Sequence, residues 1–181
     1  MISVICIGYR PEHAEAFAVC RHSLRRFWPF PVRMIGVDLT QKTPFHAPFL
    51  AGWGEGWCFY VAGRSLALEP MASLLDALSD SVAGMSRGNV YAINMQHQAN
   101  RALTLDLIAA GGSLAGMTWL PDRHHRRLPV RYAWREGDDA QISPSLVCFG
   151  DKAPIDSAFA EQWRREQALW INGDAYADTI V

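Results

Sequence analysis

Residues 52–70 read GWGEGWCFYVAGRSLALEP. A glycine-rich turn leads into an unbroken apolar run, Trp57–Val61, which stops at Ala62, Gly63 and Arg64 before Pro70 opens a helical pattern. Strands covered on both faces carry continuous apolar runs, and in open α/β sheets ligands sit just beyond the carboxyl ends of the strands. The stretch therefore predicts a buried strand with Ala62, Gly63 and Arg64 at a ligand-facing tip.

Segments on either side fit the same architecture. Ile2–Ile7 is a short apolar run closed by Gly8, Tyr9, Arg10 and Pro11, and Phe17, Cys20, Leu24 and Phe27 then recur at helical spacing. Pro11 suits a first helical turn. Strand, glycine turn and helix make a Rossmann-like opening, in which residues 8–10 are either a nucleotide site or an ordinary connection. Pro29 and Pro31 end the helix, and Val32–Val37 supplies a second strand whose final Asp38 either holds a ribose or caps a turn. Residues 40–49 read as a loop.

Beyond the central strand, Met71, Leu74, Leu75 and Leu78 predict a helix from Pro70 to residues 79–81, and 81–88 read as a polar connection. Val90–Met95 is a further strand. Thr104 caps a short helix over Leu105–Ala110, and Gly116–Leu120 reads as an edge strand. Ser145–Phe149 is a late core strand running into a turn with a free cation, Lys152, at its tip. Asp156 is placed as the cap of a last helix carrying Phe159, Trp163 and Trp170 on one side, and the tail after Asn172 reads as frayed.

The 181 residues are half apolar and carry a net charge of −1. One domain can bury a sizeable core at this length, and so small a charge supplies no global field for nucleic acid or an anionic membrane. Arg123–Arg127, with His124 and His125 between, is the one basic cluster, and it reads as a solvated loop face. Cys6, Cys20, Cys58 and Cys148 lie in apolar contexts without metal-ligand spacing, which predicts reduced core thiols in a cytoplasmic protein. No signal peptide and no run of membrane-spanning length is read.

Taken jointly, four blocks resemble the bacterial relatives of family 8 retaining glycosyltransferases. The first is Ile7-Gly8-Tyr9 followed by Ala16, Val19, Cys20, Ser23 and Leu24. The second is Pro48–Trp53 with Gly56–Phe59. The third joins His97 and Arg101–Thr104 to Trp119, Leu120, Asp122, Leu128, Pro129, Tyr132 and Trp134. The fourth is Leu146–Phe149 with Pro154. The resemblance implies a single three-layer domain of GT-A type over residues 1–181, with a mostly parallel central sheet and helices on both faces. It also implies a nucleotide-sugar ligand, of UDP type.

Departures from the family pattern fall on its chemistry. The family's central strand ends in Asp-x-Asp, which binds a divalent cation together with a histidine on the closing strand. Here Ala62, Arg64 and Cys148 occupy those positions. A hard cation needs oxygen or imidazole donors, so the family's Mn or Mg is not expected. The family's Gly-Tyr-Asp-x-Arg-Glu becomes Gly8-Tyr9-Arg10-Pro11-Glu12-His13, an acid replaced by a base. The stretch between Leu78 and Asn89 is shorter than in the family, which implies loss of a strand there.

Two functions follow from these substitutions. In one, Arg64 replaces the metal on the diphosphate, since a guanidinium is always charged and matches phosphate oxygens. Arg10 and Lys152 are then further cations, Gly8, Tyr9, Ala62 and Gly63 line the nucleotide site, and Asp122 is the acid facing sugar or acceptor. In the other, the site is inactive and the fold is a pseudoenzyme, kept as a binding or protein-interaction module with Trp53, Trp57, Trp134 and Trp170 as anchors.

Overall fold

The computed structural model describes residues 2–28, 30–40, 56–78, 83–86, 90–98, 100 and 125–173. Its first strand, β1 (Ile2–Tyr9), pairs in parallel with β2 (Arg33–Asp38) on one side and with β3 (Trp57–Ala62) on the other. Ile2, Ile5 and Ile7 share one face although strict alternation would separate Ile2 from Ile5. An irregularity between Ile2 and Val4 inserts one extra residue opposite β3 and restores the common face.

Antiparallel to β3 runs β6 (Val90–Asn94), followed outward by β5 (Ala83–Met85) and then β7 (His125–Arg127). The order is β2-β1-β3-β6-β5-β7. Five of the six strands run the same way, with β6 reversed. A two-stranded ribbon, β4 (Ser65–Ala67) against β8 (Leu146–Cys148), stands apart from this sheet.

Helix α1 (Ala14–Phe27) follows β1 and buries Val19, Cys20, Ser23 and Leu24. Its stripe packs with Ile5, Ile7, Phe59 and Val61 on one face of the sheet. The Ser23 hydroxyl donates to the Cys20 carbonyl at 2.9 Å and accepts the Ala67 N–H at 3.1 Å, which fastens β4 to α1. Val4, Cys6, Val37, Cys58, Tyr60 and Ile93 form a second buried cluster on the opposite face. A third cluster joins Val19 to Leu66, Val147, Phe149, Trp134 and Trp163, the last on α3 (Ala160–Ile171).

Several expectations are corrected. The helix expected from Pro70 shrinks to one turn, α2 (Leu74–Ala77), around which Leu74, Leu75 and Leu78 donate to carbonyls three residues back, those of Met71, Ala72 and Leu75, rather than four. Residues 83–85 and 125–127, read as connections, are the paired strands β5 and β7. Ser65–Ala67 is also a strand. Asp156 does not cap α3: it lies in a 3-10 turn, and the Ser157 hydroxyl accepts the Phe159 N–H instead. The readings at residues 41–49, 105–110, 116–120 and 174–181 fall outside the described residues.

Candidate functional site

At the carboxyl ends of β1 and β3 lies a cleft of about 270 Å³. Gly8, Tyr9, Arg10 and His13 line one wall, Leu39 the end of β2, Ala62, Gly63 and Arg64 the tip of β3, and Gly150 and Asp151 the turn after β8. Parallel pairing produces this convergence, since Gly8 stands opposite both Val37 and Ala62.

Two glycines set the floor. A Cβ on Gly8 would come within 2.0 Å of the Tyr60 hydroxyl, and one on Gly63 would lie 2.8 Å from the Gly8 carbonyl oxygen. The Gly63 N–H donates to that oxygen at 2.6 Å, so the chain leaving β3 crosses directly over the end of β1. Tyr9 stacks on Phe17 with centroids 4.4 Å apart. Below the floor, burial pushes the Tyr60 phenol up to about 12, so it is a neutral hydroxyl at physiological pH.

The cations differ in their engagements. Arg64 directs Nη2 to the carbonyls of Asp151, at 3.1 Å, and Lys152, while its own carbonyl accepts the Phe149 N–H at 3.0 Å. Arg64 therefore both lines the cleft and ties the turn after β8 to the end of β3. Arg10 is exposed, with Glu12 at 3.8 Å. The Lys152 ammonium is not free: it donates to Glu136 at 2.6 Å and lies beside a separate, smaller hollow near Trp134 and Phe159.

Six of the eight residues singled out in the sequence, Gly8, Tyr9, Arg10, Ala62, Gly63 and Arg64, line one cleft. Lys152 does not, and Asp122 lies outside the described residues. The sequence reading missed His13, Leu39, Gly150 and Asp151. Gly150 adopts a left-handed backbone, φ +60°, a turn signal that follows the β8 run. Among the described residues, Asp151 is the carboxylate lining the cleft. Asp38 binds Thr40, accepting its N–H at 2.8 Å and its hydroxyl at 2.7 Å, as a turn cap does.

The donor set does not fit the divalent cation of the resembled family. Ala62 offers no donor, and Arg64 is a cation. Cys148 is buried, accepts a hydrogen bond from the Ser65 hydroxyl at 3.5 Å, and has its thiol pushed up to about 11 by burial. A thiol held neutral is a poor metal ligand. No group of three or more histidine, cysteine or acidic side chains that could hold a metal occurs among the described residues.

No family model matches the sequence, and no curated protein matches it. Solved structures do match its fold. The apo form of WbbM, a bifunctional glycosyltransferase, aligns with TM-score 0.68 at 9% identity, over 94% of this chain and 51% of that one. The glycosyltransferase GlyE of Streptococcus pneumoniae TIGR4 gives 0.65 at 11%, over 95% and 62%. The galactosyltransferase LgtC, solved with donor and acceptor sugar analogues, gives 0.56 at 10%, over 91% and 95%. This chain thus spans 51% and 62% of the lengths of the first two. At such identities the likeness concerns the fold, which is the GT-A-like fold of glycosyltransferases.

Proposed function

We propose that the cleft binds the diphosphate of a nucleotide sugar of UDP type and does so without a metal ion, in a degenerate relative of the family 8 glycosyltransferases. The observation that carries this reading is the placing of Arg10 and Arg64 on one cleft at the ends of parallel β1 and β3. Fixed positive charge there neutralises a bound diphosphate, and it stabilises the nucleoside diphosphate as a sugar departs. Any transfer would use Arg64 where the family uses its cation. Asp151, rather than Lys152, joins the arginines on the wall, and its carboxylate suits sugar or ribose hydroxyls.

Calorimetric titration with UDP and UDP-sugars, with and without manganese, tests the reading. Wild-type protein should bind equally in both conditions. Arg10→Ala should weaken binding about tenfold to a hundredfold, as expected for a charge-assisted hydrogen bond of about 1.5–3 kcal/mol. Arg64→Ala should weaken it at least as much, but it also frees the turn at Asp151, so Arg10→Ala is the cleaner test. Binding that requires manganese would overturn the replacement of the metal by arginine.

A second reading, a non-catalytic binding module, is favoured by the engagement of Arg64 with two backbone carbonyls and of Lys152 with Glu136. It predicts no UDP binding by the wild type, together with a lowered melting temperature in Arg64→Ala. Of its expected aromatic anchors, Trp170 is exposed beside Ile171 at the end of α3, whereas Trp134 is buried against Phe159, Trp57 packs on the core, and Trp53 lies outside the described residues.

A further inference from the structure

Among the described residues, the basic side chains lining the cleft are Arg10, His13 and Arg64, and they differ in one respect. A guanidinium is always charged, whereas an imidazole is the group whose charge ordinarily changes between about pH 5 and 8. We propose that His13 is a proton-dependent third cation of the anion site, so that the cleft holds a phosphate dianion more tightly as pH falls. The proposal rests on the diphosphate reading above and states how that site is regulated.

Local geometry gives His13 this position. It ends the 3-10 turn Pro11–His13, whose φ is set at Pro11 and whose closure is the hydrogen bond from the His13 N–H to the Arg10 carbonyl at 2.8 Å. Arg10 and His13 thus flank one tight turn on the same wall. The imidazole is half-buried and belongs to the lining of the cleft. Among the described residues, the charged side chains lining the same cleft are Arg10, Arg64 from the end of β3 and Asp151 from the turn after β8, and Glu12 precedes His13 in its own turn. The end of β2 contributes the apolar Leu39.

The sign follows from these groups. Of the side-chain types on this wall, only an imidazole ordinarily changes charge between about pH 5 and 8, and a proton on it adds one positive charge. With His13 protonated the described residues of the wall carry three cations opposing Asp151, and with His13 neutral two. Anion binding and protonation of His13 therefore reinforce one another: each raises the affinity for the other by the same factor.

The test uses two ligands whose own charge is constant over this range, UDP-glucose and inorganic sulfate. Binding is measured from about pH 5.5 to about pH 8.5 with wild type, His13→Gln and Arg10→Gln, and the imidazole signal of His13 is followed by NMR with and without ligand. For wild type the affinity for both ligands should rise about tenfold or more across the range, the effect of an opposite charge at close contact on a titrating group. His13→Gln should be flat within about twofold, and Arg10→Gln should bind more weakly throughout while keeping the slope. An unchanged slope in His13→Gln, with UDP-glucose still bound, overturns the proton linkage and leaves the nucleotide reading standing. A His13-dependent slope for sulfate without UDP-glucose binding supports the linkage and overturns the nucleotide reading. Absence of binding by either ligand at any pH overturns both.

Discussion

At Gly8 a single hydrogen in place of a methyl group decides whether the cleft floor exists. Its Cβ would meet the Tyr60 hydroxyl at 2.0 Å, in a sheet face where Tyr60 is buried beside Tyr91. Gly8→Ala should destabilise the protein by about 1–3 kcal/mol, the usual range for overpacking a filled core. Adding Tyr60→Phe should recover part of that loss but not all, because the ring carbon behind the hydroxyl would still lie 2.8 Å away. Urea denaturation of both single variants and the double variant gives the coupling; strictly additive effects would show that the hydroxyl is not the obstacle. This glycine was legible as a turn residue after an apolar run. Its steric reason was not, because Tyr60 lies on a strand 52 residues away.

At the scale of elements, α3 is joined to α1 by a buried carboxylate. Glu166 is 2% exposed and accepts hydrogen bonds from the His22 Nδ1 at 2.6 Å and from Nε and Nη2 of Arg26. Gln167 adds a bond to Glu15 at the outer edge of the same contact. Removing one partner of a buried ionic group leaves the other charge uncompensated, so Glu166→Gln should cost about 3–5 kcal/mol of stability. Equilibrium denaturation followed by far-UV circular dichroism measures it, and a loss within experimental error would mean that the apolar packing of Trp163 and the outer Gln167–Glu15 bond hold α3 without the buried carboxylate. Helical periodicity foretold α3 but not its partner: Glu161, Arg164, Arg165 and Glu166 look alike in sequence, and only the approach of α1 selects Glu166 for burial. The same limit explains β5 and β7. Three-residue strands carry too little alternation to be read alone, and pairing with β6 and with each other makes them strands.

The whole molecule carries a signature of its thiols and phenols. Burial raises Cys20 and Tyr91 and lifts Cys148 to about 11 and Tyr60 to about 12, while the hydrogen bond shared with Cys6, reinforced by burial, raises Cys58. The folded chain keeps these protons to higher pH than the unfolded chain does. Their contribution is therefore complete below the ordinary thiol range and is lost as pH climbs through the raised values. Stability should be level to about pH 8 and then fall by as much as about 1.4 kcal/mol per pH unit for each thiol ionised only when unfolded. Thermal unfolding across that range measures the slope, which Cys148→Ala should make shallower; a melting temperature indifferent to alkali would contradict it. The global architecture was the most legible level of all, because long apolar runs at 2–7, 57–61 and 90–95 and one amphipathic helix suffice to announce an α/β sheet. The cleft was legible in part: its walls follow strand ends, whereas His13, Leu39 and Asp151 enter by turns whose direction depends on the completed packing. Arg64 also sets an order of events in time. Its two carbonyl acceptors lie 87 and 88 residues downstream, beyond β5, β6 and β7. A chain emerging from the ribosome would therefore have every strand of its large sheet made while the pocket mouth still lacked one side, and binding competence would come later than the sheet that carries it.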